Sequence, residues 1–137
     1  MLGPLPPGAL GSDLVPMVPI LVEACVETVA AALAAEEGGA GRVEVCASLE
    51  VGGVTPPDEF IRESVSRLSI PVFVLVRPRP GPFVLRGTEL THLAEQVRRA
   101  AELGASGIVA GALTDDGAVD RVAVEAILAA ADPLPVT

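Results

Sequence analysis

The chain has 137 residues, half of them hydrophobic, and its 18 acidic and nine basic side chains give a net charge of −9. Three Phe, with no Tyr and no Trp, leave few aromatic surfaces on which a single-stranded nucleic acid could stack, and the acidic surface repels phosphate backbones and anionic lipids. We therefore expect neither a nucleic acid nor a membrane as a partner. The longest strongly apolar run, residues 70–76, is far shorter than the ~20 residues of a membrane-spanning helix.

Residues 1–16 are rich in Pro and Gly and show no hydrophobic periodicity, which predicts a disordered leader. They contain no basic segment followed by an apolar one, so we do not expect a signal peptide. Met17 directly precedes the first predicted strand and is a candidate for the natural start, and we expect the folded domain to span 17–137. Two cysteines without a secretion signal predict a reducing, cytoplasmic location.

Strands and helices alternate over the rest of the chain. Short apolar and β-branched runs predict strands at 20–25, 42–47, 72–77 and 107–112, and helical patterns follow them at 28–37, 55–68, 88–104 and 120–132. Thr55 and Asp120 are the predicted N-caps of the second and fourth helices. Residues 134–137 have the pattern of a fifth strand that is just beginning.

Four βα units in strict alternation favour a parallel α/β fold. This fold is either an open doubly wound sheet or a TIM-type (β/α)8 barrel, and a barrel needs about 250 residues. Because the chain stops inside the fifth strand, we expect a barrel truncated to about four βα units. A half-barrel would leave apolar strand edges at 20–22 and 108–110, and such edges predict a homodimer or aggregation.

The first two strands carry the same short pattern. The first strand contains Val22-Glu23-Ala24-Cys25, and the second contains the similar segment Val43-Glu44-Val45-Cys46. Glu and Cys are two residues apart in each strand, so they point to the same face of the sheet. Because parallel strands end at a common edge, both cysteines and two carboxylates should meet at the carboxyl ends, where α/β folds build their ligand sites.

Several longer stretches carry a resemblance to a known family. They are VEAC, AAEEGGAGRVEVCASLEVGGVTP, SIPVFVLVRPRPG, AELGASGIVAGALTDDGAVD and PLPVT. From residue 20 to residue 137 the chain resembles the CutC family, described as copper homeostasis proteins. The resemblance implies the N-terminal half of a TIM barrel of about twice this length, and it places Cys25 and Cys46 at positions that the family associates with Cu(I).

The sequence departs from the family pattern in two places. Family members usually have Arg-Gly-Gly-Asp-Phe after the third strand, whereas here the stretch is Arg79-Pro80-Gly81-Pro82-Phe83, which is stiffer and has no acidic residue. The chain also stops where the family continues into a strand carrying His, Arg and Asp. Half of the pocket that the resemblance implies is therefore absent from these 137 residues.

Cys25 and Cys46 are the strongest candidates for a metal site. Thiolates are soft ligands that select Cu(I) or Zn²⁺, and adjacent strands ~4.8 Å apart allow two inward thiols to share one ion. Two thiolates suit low-coordinate Cu(I), whereas structural zinc takes four ligands. Two alternatives stay open: a pair of small core residues, and a disulfide, which a reducing compartment disfavours.

Four charged residues are candidates for binding a substrate. Glu23 and Glu44 need a partner inside a parallel sheet, and Arg77, on the third strand, is the expected one. Either these residues form a structural network, or they line a polar pocket in which carboxylates move protons and Arg77 holds an anionic group. Arg79 lies two residues further along, and two alternatives stay open for it: the rim of this pocket, or an ordinary solvated position in the loop.

Three functions follow from these residues and the resemblance. The first is a copper homeostasis protein that binds Cu(I) through the two cysteines. The second is a TIM-barrel enzyme acting on a small anionic or sugar-like substrate through the carboxylates and Arg77. The third is an inactive fragment. The expected partner is thus a copper ion or a small-molecule ligand.

Overall fold

The computed structural model of the protein describes residues 19–137. The predicted leader and the suggested start at Met17 lie outside the described residues. Four strands and four helices alternate as predicted: β1 (Glu23–Val26), α1 (Val29–Glu37), β2 (Arg42–Val45), α2 (Asp58–Arg67), β3 (Val72–Leu75), α3 (Glu89–Glu102), β4 (Gly107–Val109) and α4 (Arg121–Ala131). Across residues 19–137, each helix is too short or too polar to cross a bilayer.

The four strands form one parallel sheet in the order β1-β2-β3-β4. This arrangement confirms the predicted α/β fold. One face of the sheet is buried against the helices through Val and Ile side chains: Val26, Val43, Val45, Val72, Val74, Val76 and Ile108. The opposite face, which we call the open face, carries Glu23, Cys25, Arg42, Glu44, Phe73, Leu75, Gly107 and Val109.

The helix ends agree with the sequence patterns at two places and differ at one. Thr28 caps α1 by accepting from Ala31 N at 3.1 Å, and Asp120 caps α4 by accepting from Ala123 N at 3.0 Å. The second helix begins at Asp58, so the prediction of Thr55 as its N-cap was wrong. Two consecutive prolines explain the difference, because a residue that precedes proline is driven out of the helical region.

The edges of the sheet also differ from the prediction. The first strand begins at Glu23 and not at residue 20. Just before it, Val22 O accepts from Gly41 N at 2.9 Å, one residue ahead of β2. At the other side, Ile108 forms a parallel bridge with Val136, which confirms the predicted beginning of a fifth strand. That segment covers the edge of β4, so the edge that we expected at 108–110 is not exposed.

Candidate metal centre

The two thiols lie side by side at the carboxyl ends of β1 and β2. The Sγ atoms of Cys25 and Cys46 are 3.5 Å apart, and both cysteines are free. Cys46 is the residue after β2, and its amide continues the ladder by donating to Val26 O at 3.0 Å. The expected meeting of the cysteines is therefore confirmed. Cys25 is exposed and Cys46 is buried, so an ion could reach the pair from the side of Cys25.

The surroundings of the thiols hold them in the protonated form. Burial raises the pKa of Cys46 to about 12, with further increases from the Cys25 thiol and the charges of Glu44 and Glu27. Burial also raises the pKa of Cys25, and the same carboxylates add to that increase, together with Glu23. Burial is the largest cause for both thiols and disfavours the thiolate, whereas the negative charges nearby would attract a cation.

The carboxylate network on the open face is centred on Arg42. Arg42 lies beside Glu23 in the strand register and forms an ion pair with it. The expected pairing of Glu23 and Glu44 with Arg77 was wrong, because Arg77 lies past the end of β3 and two strands away from β1. Arg42 was missed, although its spacing of two residues from Glu44 puts both on one face.

Glu44 is the half-buried carboxylate next to the thiols. It lies opposite Cys25 in the register of β1 and β2. Burial raises the pKa of Glu44, the charge of Glu23 raises it further, and Arg42 lowers it by a smaller amount. Glu44 is thus a carboxyl group that holds a proton more tightly than an exposed glutamate does.

Arg77 joins two loops at the end of β3. Its Nη1 donates to Val51 O at 3.0 Å and to Gly53 O at 2.8 Å, and its Nη2 donates to Gly81 O at 2.8 Å. Its guanidinium also lies 4.6 Å from the centre of the Phe83 ring. Arg77 therefore fixes the loop after β2 against the loop after β3.

Gly53 brings the loop after β2 close to Cys46. A Cβ atom at this position would lie 2.7 Å from Leu75 Cδ2 and 3.7 Å from Cys46 Cβ, and the backbone has a φ of +87°. Only glycine adopts that conformation readily in so little space. The loop held by Arg77 is thus the one that covers the buried thiol.

The donors of Arg79 are used within the protein. Arg79 pairs with Glu89 and donates to Pro82 O and Val84 O, both at 3.0 Å. The hydrogen bond from Arg79, with one from the Arg86 amide, lowers the pKa of Glu89 to about 2. Arg79 therefore holds the loop between β3 and α3.

Glu27 also affects the two thiols, although the sequence analysis did not identify it as a site residue. It follows Cys25 by two residues, and its Oε1 accepts from Leu49 N at 2.7 Å. Its charge adds to the rise in the pKa of both thiols. The sequence could have indicated this, because Glu23, Cys25 and Glu27 are spaced two residues apart and such residues point to the same face of an extended segment.

The donor set of the centre consists of two thiols. Among residues 19–137, no three or more His, Cys, Asp or Glu side chains are grouped so that they could hold a metal ion together. A structural zinc site takes four such ligands, whereas soft thiolates in low coordination suit Cu(I). The chemistry of the pair therefore fits Cu(I) better than Zn²⁺.

Comparison with known proteins gives the family. A sequence model of the CutC family matches residues 20–137. The chain belongs to the CutC family. A mouse relative named copper homeostasis protein cutC homolog is 43% identical over 117 residues, which cover 85% of this chain and 43% of the relative. The CutC family protein of Histophilus somni is 39% identical over 116 residues, covering 85% of this chain and 48% of that protein.

Solved structures agree with the CutC assignment. A CutC protein from Streptococcus agalactiae superposes with a TM-score of 0.79 at 36% identity, covering 86% of this chain and 58% of that one. A phosphonopyruvate hydrolase structure has a TM-score of 0.55 at 19% identity over 82% of this chain and 42% of its own, which shows the fold alone. The chain spans about half the length of the curated CutC relatives that it matches.

Proposed function

We propose that this chain binds Cu(I) through Cys25 and Cys46 and serves copper homeostasis. The observation that carries the proposal is the 3.5 Å separation of the two Sγ atoms at the strand ends. Soft sulfur ligands prefer Cu(I) among the ions that a cell supplies, and two of them suffice for its low coordination numbers. The names of the mouse and human CutC relatives, which refer to copper homeostasis, support the same function.

Binding requires that the thiols lose their protons. Both pKa values are raised, so the ion must displace protons from Cys25 and Cys46 as it binds. The carboxylates of Glu23, Glu27 and Glu44 attract the cation to the same place. A thiol pair of this kind needs a reducing compartment to stay free, and we propose the cytoplasm for that reason.

A second candidate function is an enzyme of the TIM-barrel type acting on a small anionic or sugar-like substrate. The observation that favours it is Glu44, a half-buried carboxyl with a raised pKa at the carboxyl ends of the strands. Barrel enzymes place acid–base groups at these ends. In that case Cys25→Ser would spare turnover and Glu44→Gln would abolish it.

Competition with a Cu(I) chelator under reducing conditions tests the first proposal. Cys25→Ser and Cys46→Ser should each lose tight binding and bring the stoichiometry from one ion per chain towards zero. Ser66→Ala, which changes an exposed hydroxyl on α2, is the matched control and should bind as the parent does. Circular dichroism verifies that each variant is folded. Undiminished affinity in Cys46→Ser, or a folded parent that binds no Cu(I), would contradict the proposal.

A further inference from the structure

The two thiols of the candidate metal centre differ in their freedom to move. Cys46 is completely buried, and its Sγ atom lies 3.6 Å from Val26 O. Cys25 is exposed, so its side chain is free to turn about the Cα–Cβ bond. A change in the 3.5 Å separation of the two Sγ atoms therefore comes from rotation of Cys25.

The separation of the Sγ atoms fits a bent arrangement of two sulfur ligands better than a linear one. With a metal–thiolate bond of ~2.3 Å, two sulfurs would be ~4.6 Å apart across a linear site and ~4.0 Å apart in a trigonal one. Starting from 3.5 Å, Cys25 reaches the trigonal spacing by a rotation of roughly 15–20° and the linear spacing only by roughly 40°, which leaves its staggered well. The thiols are thus spaced as two corners of a trigonal site.

The described residues supply no sulfur for a third corner. The chain has two cysteines, both already in the pair, and its two methionines, Met1 and Met17, lie outside residues 19–137. Carboxylate oxygens are hard ligands, whereas Cu(I) selects soft sulfur. Because Cys25 is exposed and Cys46 is buried, the remaining corner lies on the solvent side. A sulfur ligand from another molecule can therefore occupy it.

The charge around the exposed thiol is negative. Glu44 lies opposite Cys25 in the strand register, and Glu27 follows Cys25 by two residues. Arg42 is paired with Glu23. Within residues 19–137, neither Glu27 nor Glu44 has an arginine within ion-pair distance. A cationic ligand is therefore attracted to this corner and an anionic one is repelled.

We propose that the centre holds Cu(I) in a three-sulfur complex, in which Cys25 and Cys46 supply two thiolates and a small cationic aminothiol supplies the third. The inference rests on the proposed function, since it concerns the same centre. The aminothiol releases its proton to solvent as its sulfur binds, and no electron is transferred. Because this third ligand can leave, Cu(I) passes between the aminothiol and the chain without losing all of its sulfur ligands at once.

X-ray absorption spectroscopy of the Cu(I)-loaded full chain counts the sulfur ligands. Cu(I) is supplied from a chelator buffer with ascorbate as the reductant, so that no other thiol is present. Cysteamine is the cationic probe. Two sulfur neighbours are expected before cysteamine is added and three when it is saturating. Two sulfurs in saturating cysteamine, or three before any thiol is added, would overturn the proposal.

The preference for a cation is tested with 3-mercaptopropionate, an anionic thiol of similar size. Each thiol is titrated into the loaded chain and followed by the thiolate-to-Cu(I) charge-transfer absorption, with affinities expressed per thiolate. Cysteamine should bind at least about tenfold more tightly than 3-mercaptopropionate.

Glu27→Gln removes one charge and keeps an acceptor for Leu49 N, so the preference for cysteamine should shrink several-fold. Glu125→Gln, which changes an exposed carboxylate on α4, is the matched control and should leave the preference unchanged. Equal affinities for the two thiols, or an unchanged preference in Glu27→Gln, would contradict the proposal. A chain that binds no Cu(I) contradicts the proposed function itself, whereas Cu(I) held by the two cysteines alone contradicts only this inference.

Discussion

The guanidinium carbon of Arg42 lies 4.1 Å from the centre of the Phe73 ring, and the same guanidinium is paired with Glu23. Phe73 is buried although it lies on the open face, because Arg42 covers it and Gly107 leaves space beside it. The stack of Arg42, Phe73 and Gly107 thus ties β2, β3 and β4 together on the open face of the sheet.

Gly107→Ala should destabilise the protein. A Cβ atom at this position would come within 2.6 Å of Phe73 Cε1, and the ring cannot move away without displacing Arg42. Overpacking of this kind costs about 1–3 kcal/mol. Urea unfolding measures the effect, with Gly111→Ala as the control, since a Cβ there has nothing within 4 Å. Equal midpoints for the two variants would show that the ring is free to shift.

Arg42→Met should destabilise more than Arg67→Met. Arg42 pairs with Glu23 on the open face, and its side chain is 22% exposed against 51% for Arg67. Its loss removes an ion pair and a contact with an aromatic ring, together about 1 kcal/mol. Arg67 makes an exposed pair with Glu63 on α2, which contributes less. Urea midpoints that do not differ would contradict the network.

Glu44→Gln should stabilise the protein at neutral pH. The pKa of Glu44 in the folded state is raised above the ordinary 4.5, so the folded state holds this proton more tightly than the unfolded state. Stability from this group is therefore greatest below 4.5 and declines as the pH rises through the folded value. Because the group is partly exposed, the expected gain is only about 0.5 kcal/mol.

The pH dependence of the stability gained by Glu44→Gln shows whether the effect comes from the charge of Glu44. The difference between parent and Glu44→Gln should shrink as the pH falls towards the ordinary pKa. Glu125→Gln on α4 is the control, because Glu125 is exposed. A constant difference across the pH range would show that Glu44 acts through packing and not through its charge.

The sequence patterns predicted the order of elements and the meeting of the cysteines because both depend on local periodicity. Alternation of apolar residues placed the strands, and the repeated Glu-x-Cys pattern placed Cys25 and Cys46 on one face. The partner of Glu23 could not be predicted in this way. It depends on which residues lie opposite each other in β1 and β2, and register is set by packing over the whole sheet.

The loops were the other part that sequence patterns could not predict. Arg77 was expected to face Glu23 and Glu44, whereas it donates to backbone carbonyls of two loops. Carbonyl groups belong to every residue, so no side-chain pattern marks the ones that an arginine will bind. Thr55, which the prolines keep out of α2, likewise bonds to distant groups: it donates to Gln96 Oε1 at 2.6 Å and accepts from Arg77 N at 2.9 Å.

If the two thiols bind Cu(I), the affinity should rise steeply with pH. Both thiols are protonated at neutral pH, and the pKa of Cys46 is about 12. Each must release its proton, so the binding constant should increase by about two orders of magnitude per pH unit. Chelator competition at several pH values, corrected for the chelator's own protonation, measures this slope. A binding constant that does not change with pH would remove the thiols from the ligand set.

The edge of β1 should make the 137-residue chain associate. Ile20, Leu21 and Val22 are 90%, 58% and 57% exposed, and they precede a strand that has no neighbour on its outer side among the described residues. On the open face next to this edge, the Cys25 residue is also exposed to solvent. All-parallel sheets are normally covered on both faces, and exposed apolar edges pair with other chains.

Light scattering at micromolar concentration should therefore show a dimer or larger species, with low thermal stability. Leu21→Lys places a charge at the β1 edge and should shift the distribution towards monomer, because a charged edge resists pairing with a second chain. Val122→Lys is the matched control, since Val122 is an equally apolar, exposed residue on α4, away from that edge. If the two variants associate equally, the edge is not the contact. A sharp monomer peak for the parent with a cooperative thermal transition would show that the four βα units are stable without a partner.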